Sequence, residues 1–187
     1  MEKHRCNWCV GDSLYEAYHD EEWGTPVYDD ATLFEFLILE TFQAGLSWIT
    51  VLRKRENFRK ALDNFNYKKI ANYNQAKMDS LLQDAGIIRN KLKVRATITN
   101  AQAFMKIQEE FGSFSKYIWG FVDGKPIKNS WKTLSDVPAT TKISDVLSKD
   151  LKKRGFKFVG STVIYAHMQA TGMVNDHIVS CFKYNKV

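Results

Sequence analysis

Four soft metal-binding side chains stand at opposite ends of this chain. Cys6 and His19 lie in the first twenty residues, and His177 and Cys181 lie in NDHIVSC near the C-terminus. If one ion gathers them, the two ends of the chain must meet, whatever lies between. His177 and Cys181 are four positions apart and would share one face of a helix. Cys6 and His19 have no helical spacing and need a loop to bring them together. The set is Cys₂His₂, suited to tetrahedral zinc. Other readings stand beside it. Cys6-x2-Cys9 is itself a familiar zinc spacing, the thiols could be plain buried side chains, and a nucleophilic Cys–His pair would need a third, orienting group that is not evident. Three cysteines are an odd count and argue against a disulfide framework. His4 lies beside the first cluster, and His167 stands apart.

Between these ends the chain has few breaks, with three prolines and ten glycines. Residues 31–44 are apolar all round and predict a buried helix ended by Gly45. Ser47 can cap a second helix, WITVLRKRENFRKAL. A short helix fits 75–83, followed by the turn DAGIIRN and a long helix to about 107. The aromatic stretch 114–121 is followed by a loop with Asp-Gly and Lys-Pro turn signals. Ser144 or Asp145 starts a helix through Lys153, and Ser161 caps the next. Extended structure is expected at most at 156–159. The expected fold class is all-α, as a single domain over 1–187.

A net charge of +6 favours an anionic partner, nucleic acid first. No apolar run approaches the roughly 20 residues that span a bilayer. The N-terminus lacks the apolar core of a signal peptide. No membrane association and a cytoplasmic location are therefore expected.

Glu40 is a carboxylate in the wrong place. On the predicted helix it shares a face with Leu33, Phe36 and Leu37. Burial there is costly without a partner and would favour the neutral form, whereas a cationic neighbour would favour the charge. A salt bridge to an Arg or Lys is the plain expectation, and Glu35 faces elsewhere, as ordinary surface. Trp8, Tyr15, Tyr18, Trp23 and Trp48 surround Glu40 in sequence. Aromatic faces around a buried carboxylate also describe a pocket for a flat cationic ring, the way a flipped nucleobase is held. Basic turns supply candidate DNA contacts: Gly86, Arg89, Lys91 and Lys93 in the first, Lys157, Gly160 and Ser161 in the second.

Several stretches together carry a resemblance: LYEAYHDEEWG (14–24), QAGLSWITVLRKRENFRKA (43–61), QDAGIIRNKLKV (83–94), LKKRGFKFVGSTVIYAHMQATGMVNDHIVSC (151–181), and Cys6 with Trp8. With these, the chain resembles the bacterial DNA-3-methyladenine glycosylase I family, nearly end to end. The resemblance implies a two-lobed helical bundle of the helix–hairpin–helix glycosylase superfamily. It implies a monofunctional enzyme that flips 3-methyladenine out of alkylated double-stranded DNA and hydrolyses its N-glycosidic bond, acting as a monomer. It implies one structural zinc on Cys6, His19, His177 and Cys181, with Cys9 a bystander. Trp8, Tyr15, Tyr18, Trp23, Glu40 and Trp48 would hold the base, Glu40 and Tyr18 being the catalytic pair. Leu46 would plug the gap in the duplex, with Gln43 against the opposite strand. The aspartate that most of the superfamily places near the sugar is absent from the RGFKFVGST block. Two other classes compete: a zinc-stapled DNA-binding module without chemistry, and a zinc hydrolase. The second needs an open metal position that four protein ligands would not leave.

Overall fold

The computed structural model describes residues 3–187. Its centre is the helix α2, Asp30–Gln43, whose residues 36–42 are all buried. A helix apolar on every side must be surrounded, and four of the later helices pack against α2. Asp29 caps it by accepting from the Thr32 amide at 2.8 Å. Asp30 then ties its start to two other helices. It accepts from Gln108 of α7, Lys91–Phe111, and from the Phe114 and Ser115 amides that open α8, Phe114–Trp119. In front of α2 lies α1, Ser13–Glu21.

The single helix expected over 48–62 is two, α3 (Trp48–Arg53) and α4 (Arg55–Ala61), with the chain bending at Lys54. After the bend the Arg55 side chain is buried, donating to Glu35 at 2.6 Å and to Glu22 at 2.7 Å. Glu35 is therefore not ordinary surface, because Arg55 and Arg59 enclose its carboxylate. Nor does Ser47 cap the backbone of α3; its hydroxyl pairs with that of Thr50. A short α5 (Tyr67–Ile70) leads to α6 (Gln75–Gln83), which matches the expected helix. The long helix α7 runs four residues past the expected end, to Phe111, and Gly112 caps it with a left-handed φ of 84°.

The helix expected from Ser144 or Asp145 is α9, Lys142–Lys153, and begins earlier because Thr141 is its cap. Ser161 is the first residue of α10, Ser161–Ala170, and not its cap; its hydroxyl donates to Asp145 at 2.6 Å. Extended structure falls not at 156–159 but in a two-residue parallel pair, β1 (Ile127–Lys128) with β2 (Val174–Asn175). Past β2 the chain turns and does not form the helix that the His177–Cys181 spacing suggested. Helices otherwise dominate, as expected. One continuous apolar core runs from Tyr18 to Val174, and a smaller cluster gathers Cys6, Ile178 and Cys181. Among the described residues, no helix is long and apolar enough to cross a membrane.

Candidate functional site

The two ends of the chain do meet. Cys6, His19, His177 and Cys181 are all buried, and their ligand atoms lie within 4.8 Å of one another. Cys181 Sγ is 3.5 Å from His19 Nε2 and 3.5 Å from His177 Nδ1, and Cys6 Sγ is 3.8 Å from His177 Nδ1. A tetrahedron with metal–sulfur bonds of about 2.3 Å and metal–nitrogen bonds of about 2.0–2.1 Å has S···N edges of roughly 3.5–3.6 Å. The set could thus hold a metal ion. Each imidazole is oriented through its other nitrogen. His19 Nδ1 meets Asp20 at 2.9 Å, and His177 Nε2 meets the Trp23 carbonyl at 3.1 Å. Such partners fix tautomer and ring direction at metal centres. Arg5 in turn holds Asp20 through two 2.9 Å bonds. Gly24, at φ +77°, gives His177 its room: a Cβ there would come within 2.8 Å of Nε2.

The sulfurs share the burden of burial. A hydrogen bond from Cys6 draws the Cys181 thiol far down, and the same bond with burial pushes Cys6 up. Cys9 stays out of the cluster. Its Sγ donates to the Cys6 carbonyl at 3.1 Å, and burial pushes its thiol up to about 11.

Beside this cluster is a cavity of about 120 Å³, lined by Trp8, Tyr15, Tyr18, Trp23, Glu40, Gln43, Trp48 and Ala166. It brings together every aromatic singled out in the sequence, along with Glu40. Trp8 meets Tyr15 edge-on at 4.7 Å and Trp23 at 5.1 Å, while Tyr18 lies 5.5 Å from Trp48. Trp8 also touches the His19 ring, so the Cys/His cluster and the cavity share a wall. Ala166 of α10 gives no signal in the sequence, being an alanine on an apolar helix.

Glu40 forms no salt bridge among the described residues, contrary to the plain expectation. It is 3% exposed, and its Oε2 has no hydrogen-bond partner; neither has the Trp48 indole N–H. Burial alone raises the Glu40 carboxyl well above its ordinary range, and burial raises the Tyr18 phenol likewise. A buried polar atom left unpaired costs about 1–3 kcal/mol. Glu40 and Trp48 both line the one cavity, which could take a guest with hydrogen-bonding edges. A cationic guest would also pull Glu40 toward its charged form.

The residues expected to touch DNA divide. Leu46 is 42% exposed in the turn between α2 and α3. Arg89, Lys91 and Lys157 are exposed. Lys93 is not, because its ammonium is buried under that same turn. At Gly86 the amide already donates to Asp84 at 2.7 Å, and Asn90 accepts from the first amides of α7. The second turn differs. Asn100 clamps Lys157 through both its amide and its carbonyl, and Ser148 holds the Val159 carbonyl. No side chain caps α10 after Gly160, which leaves its first amides as donors.

Comparison with known proteins agrees with these features. Residues 8–184 match the methyladenine glycosylase family. DNA-3-methyladenine glycosylase 1 of Escherichia coli is 50% identical over 180 residues, 96% of each chain. DNA-3-methyladenine glycosylase of Haemophilus influenzae is 48% identical over 177 residues, covering 95% of this chain and 96% of that protein. A crystal structure of 3-methyladenine DNA glycosylase I superposes with a TM-score of 0.93 at 50% identity, over 96% of this chain and 98% of that one. The Staphylococcus aureus enzyme, solved to explain its recognition of 3-methyladenine, gives 0.93 at 36% identity over 96% of each chain. On this evidence the chain belongs to the methyladenine glycosylase family.

Proposed function

We propose that this protein excises 3-methyladenine from alkylated double-stranded DNA by hydrolysing the N-glycosidic bond of a flipped nucleotide. The observation that carries the reading is Glu40: a buried, unpaired carboxyl in an aromatic cavity, next to the unpaired N–H of Trp48. A 3-methylated adenine is cationic in DNA and a good leaving group. The site needs to select it, orient it and leave the sugar open to an attacking water more than it needs to protonate the base. Glu40 accepts from the amine edge of the base and, once ionised, attracts its charge. Tyr18 lines the other side, and Trp8, Tyr15, Trp23 and Trp48 supply π-faces that favour a cationic ring. Ordinary adenine lacks the charge and so gains nothing from ionising Glu40. No lysine lines the cavity, which supports a monofunctional hydrolysis with no Schiff base.

The metal-binding set suits one zinc ion on Cys6, His19, His177 and Cys181. Four protein ligands favour a structural role, and Zn²⁺ would contribute folding free energy by clasping the chain ends beside the cavity. His19 and Trp8 then hold one wall for the base. The turn between α9 and α10 supports a phosphate contact better than the pattern at 75–107. It offers Lys157, Gly160 and Ser161 before an uncapped helix, with the dipole favouring an anion. Arg89 and Lys91 serve as further cations. Leu46 fits the role of plug in the emptied stack, with Gln43 at the rim of the cavity. The reading is of a single two-lobed domain of the helix–hairpin–helix superfamily, monomeric and cytoplasmic.

The test is to incubate the purified protein with methylated duplex DNA and identify the released base. Release of 3-methyladenine is expected. DNA binding without release would favour the zinc-stapled binding module instead.

A further inference from the structure

Among the described residues, Lys93 donates from its ammonium only to backbone carbonyls at the turn that bears Leu46. It is 6% exposed and sits in the first turn of α7. Its Nζ donates to the Phe42 carbonyl at 2.9 Å and to the Ala44 carbonyl at 2.7 Å. No carboxylate pairs with it among the described residues. The helix it belongs to disfavours it, since a cation at a helix N-terminus opposes the dipole. The helix it reaches favours it, since those carbonyls end α2 and are otherwise orphaned. Burial also lowers its pKa, so this placement costs stability that no ion pair returns. Past Ala44 the chain takes Gly45 at φ +83°, then exposes Leu46, and re-enters the fold at Trp48. Gln43 and Trp48, on either side of the turn, line the cavity.

We propose that Lys93 is a positioning residue that holds the 43–47 turn in the shape needed to displace a base from the duplex, without touching base or DNA itself. The inference rests on the glycosylase reading. A prepositioned Leu46 need not be ordered during extrusion, and that saving applies only where a stack must be opened. Free base entering the cavity does not use it. Removing the ammonium would leave the α2 carbonyls unpaired and let the turn relax, while Glu40, one turn back in a packed helix, stays in place.

The experiment compares Lys93→Met, Lys93→Gln and Lys93→Arg with wild type. Single-turnover release is measured on methylated duplex DNA and on the same DNA heat-denatured. Affinity for free 3-methyladenine is followed by tryptophan fluorescence. The expected result is about a tenfold or greater loss on duplex DNA for Lys93→Met, with release from denatured DNA and free-base affinity within about twofold of wild type. Lys93→Arg, which keeps charge and donors, should recover most of the duplex rate. Equal losses on duplex DNA, denatured DNA and free base would overturn the proposal, and so would an unchanged duplex rate. If Lys93→Met does not fold, Lys93→Gln takes its place: a loss confined to duplex DNA supports the proposal, and equal losses or none overturn it. Wild type that releases no base from any DNA would instead overturn the glycosylase reading on which this one rests.

Discussion

Glu40 and Trp48, each with a buried polar atom that lacks a partner, line the same cavity. One comes from the interior of α2 and the other opens α3, and both are buried in the packing of those helices. A fold does not keep two such atoms unpaired for its own stability, and the pH dependence of stability should reveal the strain.

Glu40 has its carboxyl raised by burial, so the folded state holds a proton that the unfolded chain releases above about pH 4.3. Stability attached to this group is fully present below that pH and falls as pH rises toward the folded value, by about 1.4 kcal/mol per pH unit. Glu40→Gln removes the titration. The variant should be more stable than wild type at pH 7, and the gap should close by about pH 4 in urea denaturation. A gap independent of pH would mean that Glu40 is ionised in the empty pocket.

His167 acts in the opposite sense. It is fully buried in α10, neither ring nitrogen has a partner, and burial pushes it down to about 3. Below the unfolded value of about 6.5 the unfolded chain binds a proton that the folded state refuses, so stability falls as pH drops from there toward 3. His167→Phe should flatten the acid limb of the stability curve and raise stability at neutral pH by about 1–3 kcal/mol, the cost of unpaired buried atoms. An acid limb that is unchanged would show that the ring finds a partner in solution.

Zinc content offers a third check. Removing any one of Cys6, His19, His177 or Cys181 should abolish stoichiometric zinc, while Cys9→Ser should retain it. Asp20→Asn, which loosens the His19 ring, should weaken zinc affinity by about 10–100-fold. Chelation should lower the melting temperature before turnover of the still-folded protein falls. Loss of zinc from Cys9→Ser alone would reassign the ligand set.

Lys157 should betray its charge through salt. DNA affinity should fall steeply with ionic strength, and Lys157→Ala should reduce the log–log slope by about one. The buried Lys93 should leave that slope alone. Equal slopes for wild type and Lys157→Ala would remove Lys157 from the interface.

Much of this architecture was legible in the sequence because it follows from short-range chemistry. The apolar circumference of α2 marked it as central, and Glu40 stood out as the one charge in its buried half. The aromatic ring of the cavity and the four Cys and His side chains that could hold a metal were legible as residue types. What was hidden depends on contacts between distant elements. The bend at Lys54 accompanies the burial of Arg55 against Glu22 and Glu35, which no local propensity encodes. Lys93 reads as one more basic residue in a charged turn until its distance to the Ala44 carbonyl is known. The His177–Cys181 spacing fits a helix and yet belongs to a turn, because β2 and the cluster itself hold that segment.

The most direct measurement is single-turnover release from methylated duplex DNA by wild type and Glu40→Gln, with both proteins shown to be folded at the assay pH. Wild type should release 3-methyladenine, and the variant should do so about tenfold or more slowly despite equal or greater stability. Release at the wild-type rate by the variant would contradict the proposed function, because it would take Glu40 out of the chemistry on which the whole reading of the cavity depends.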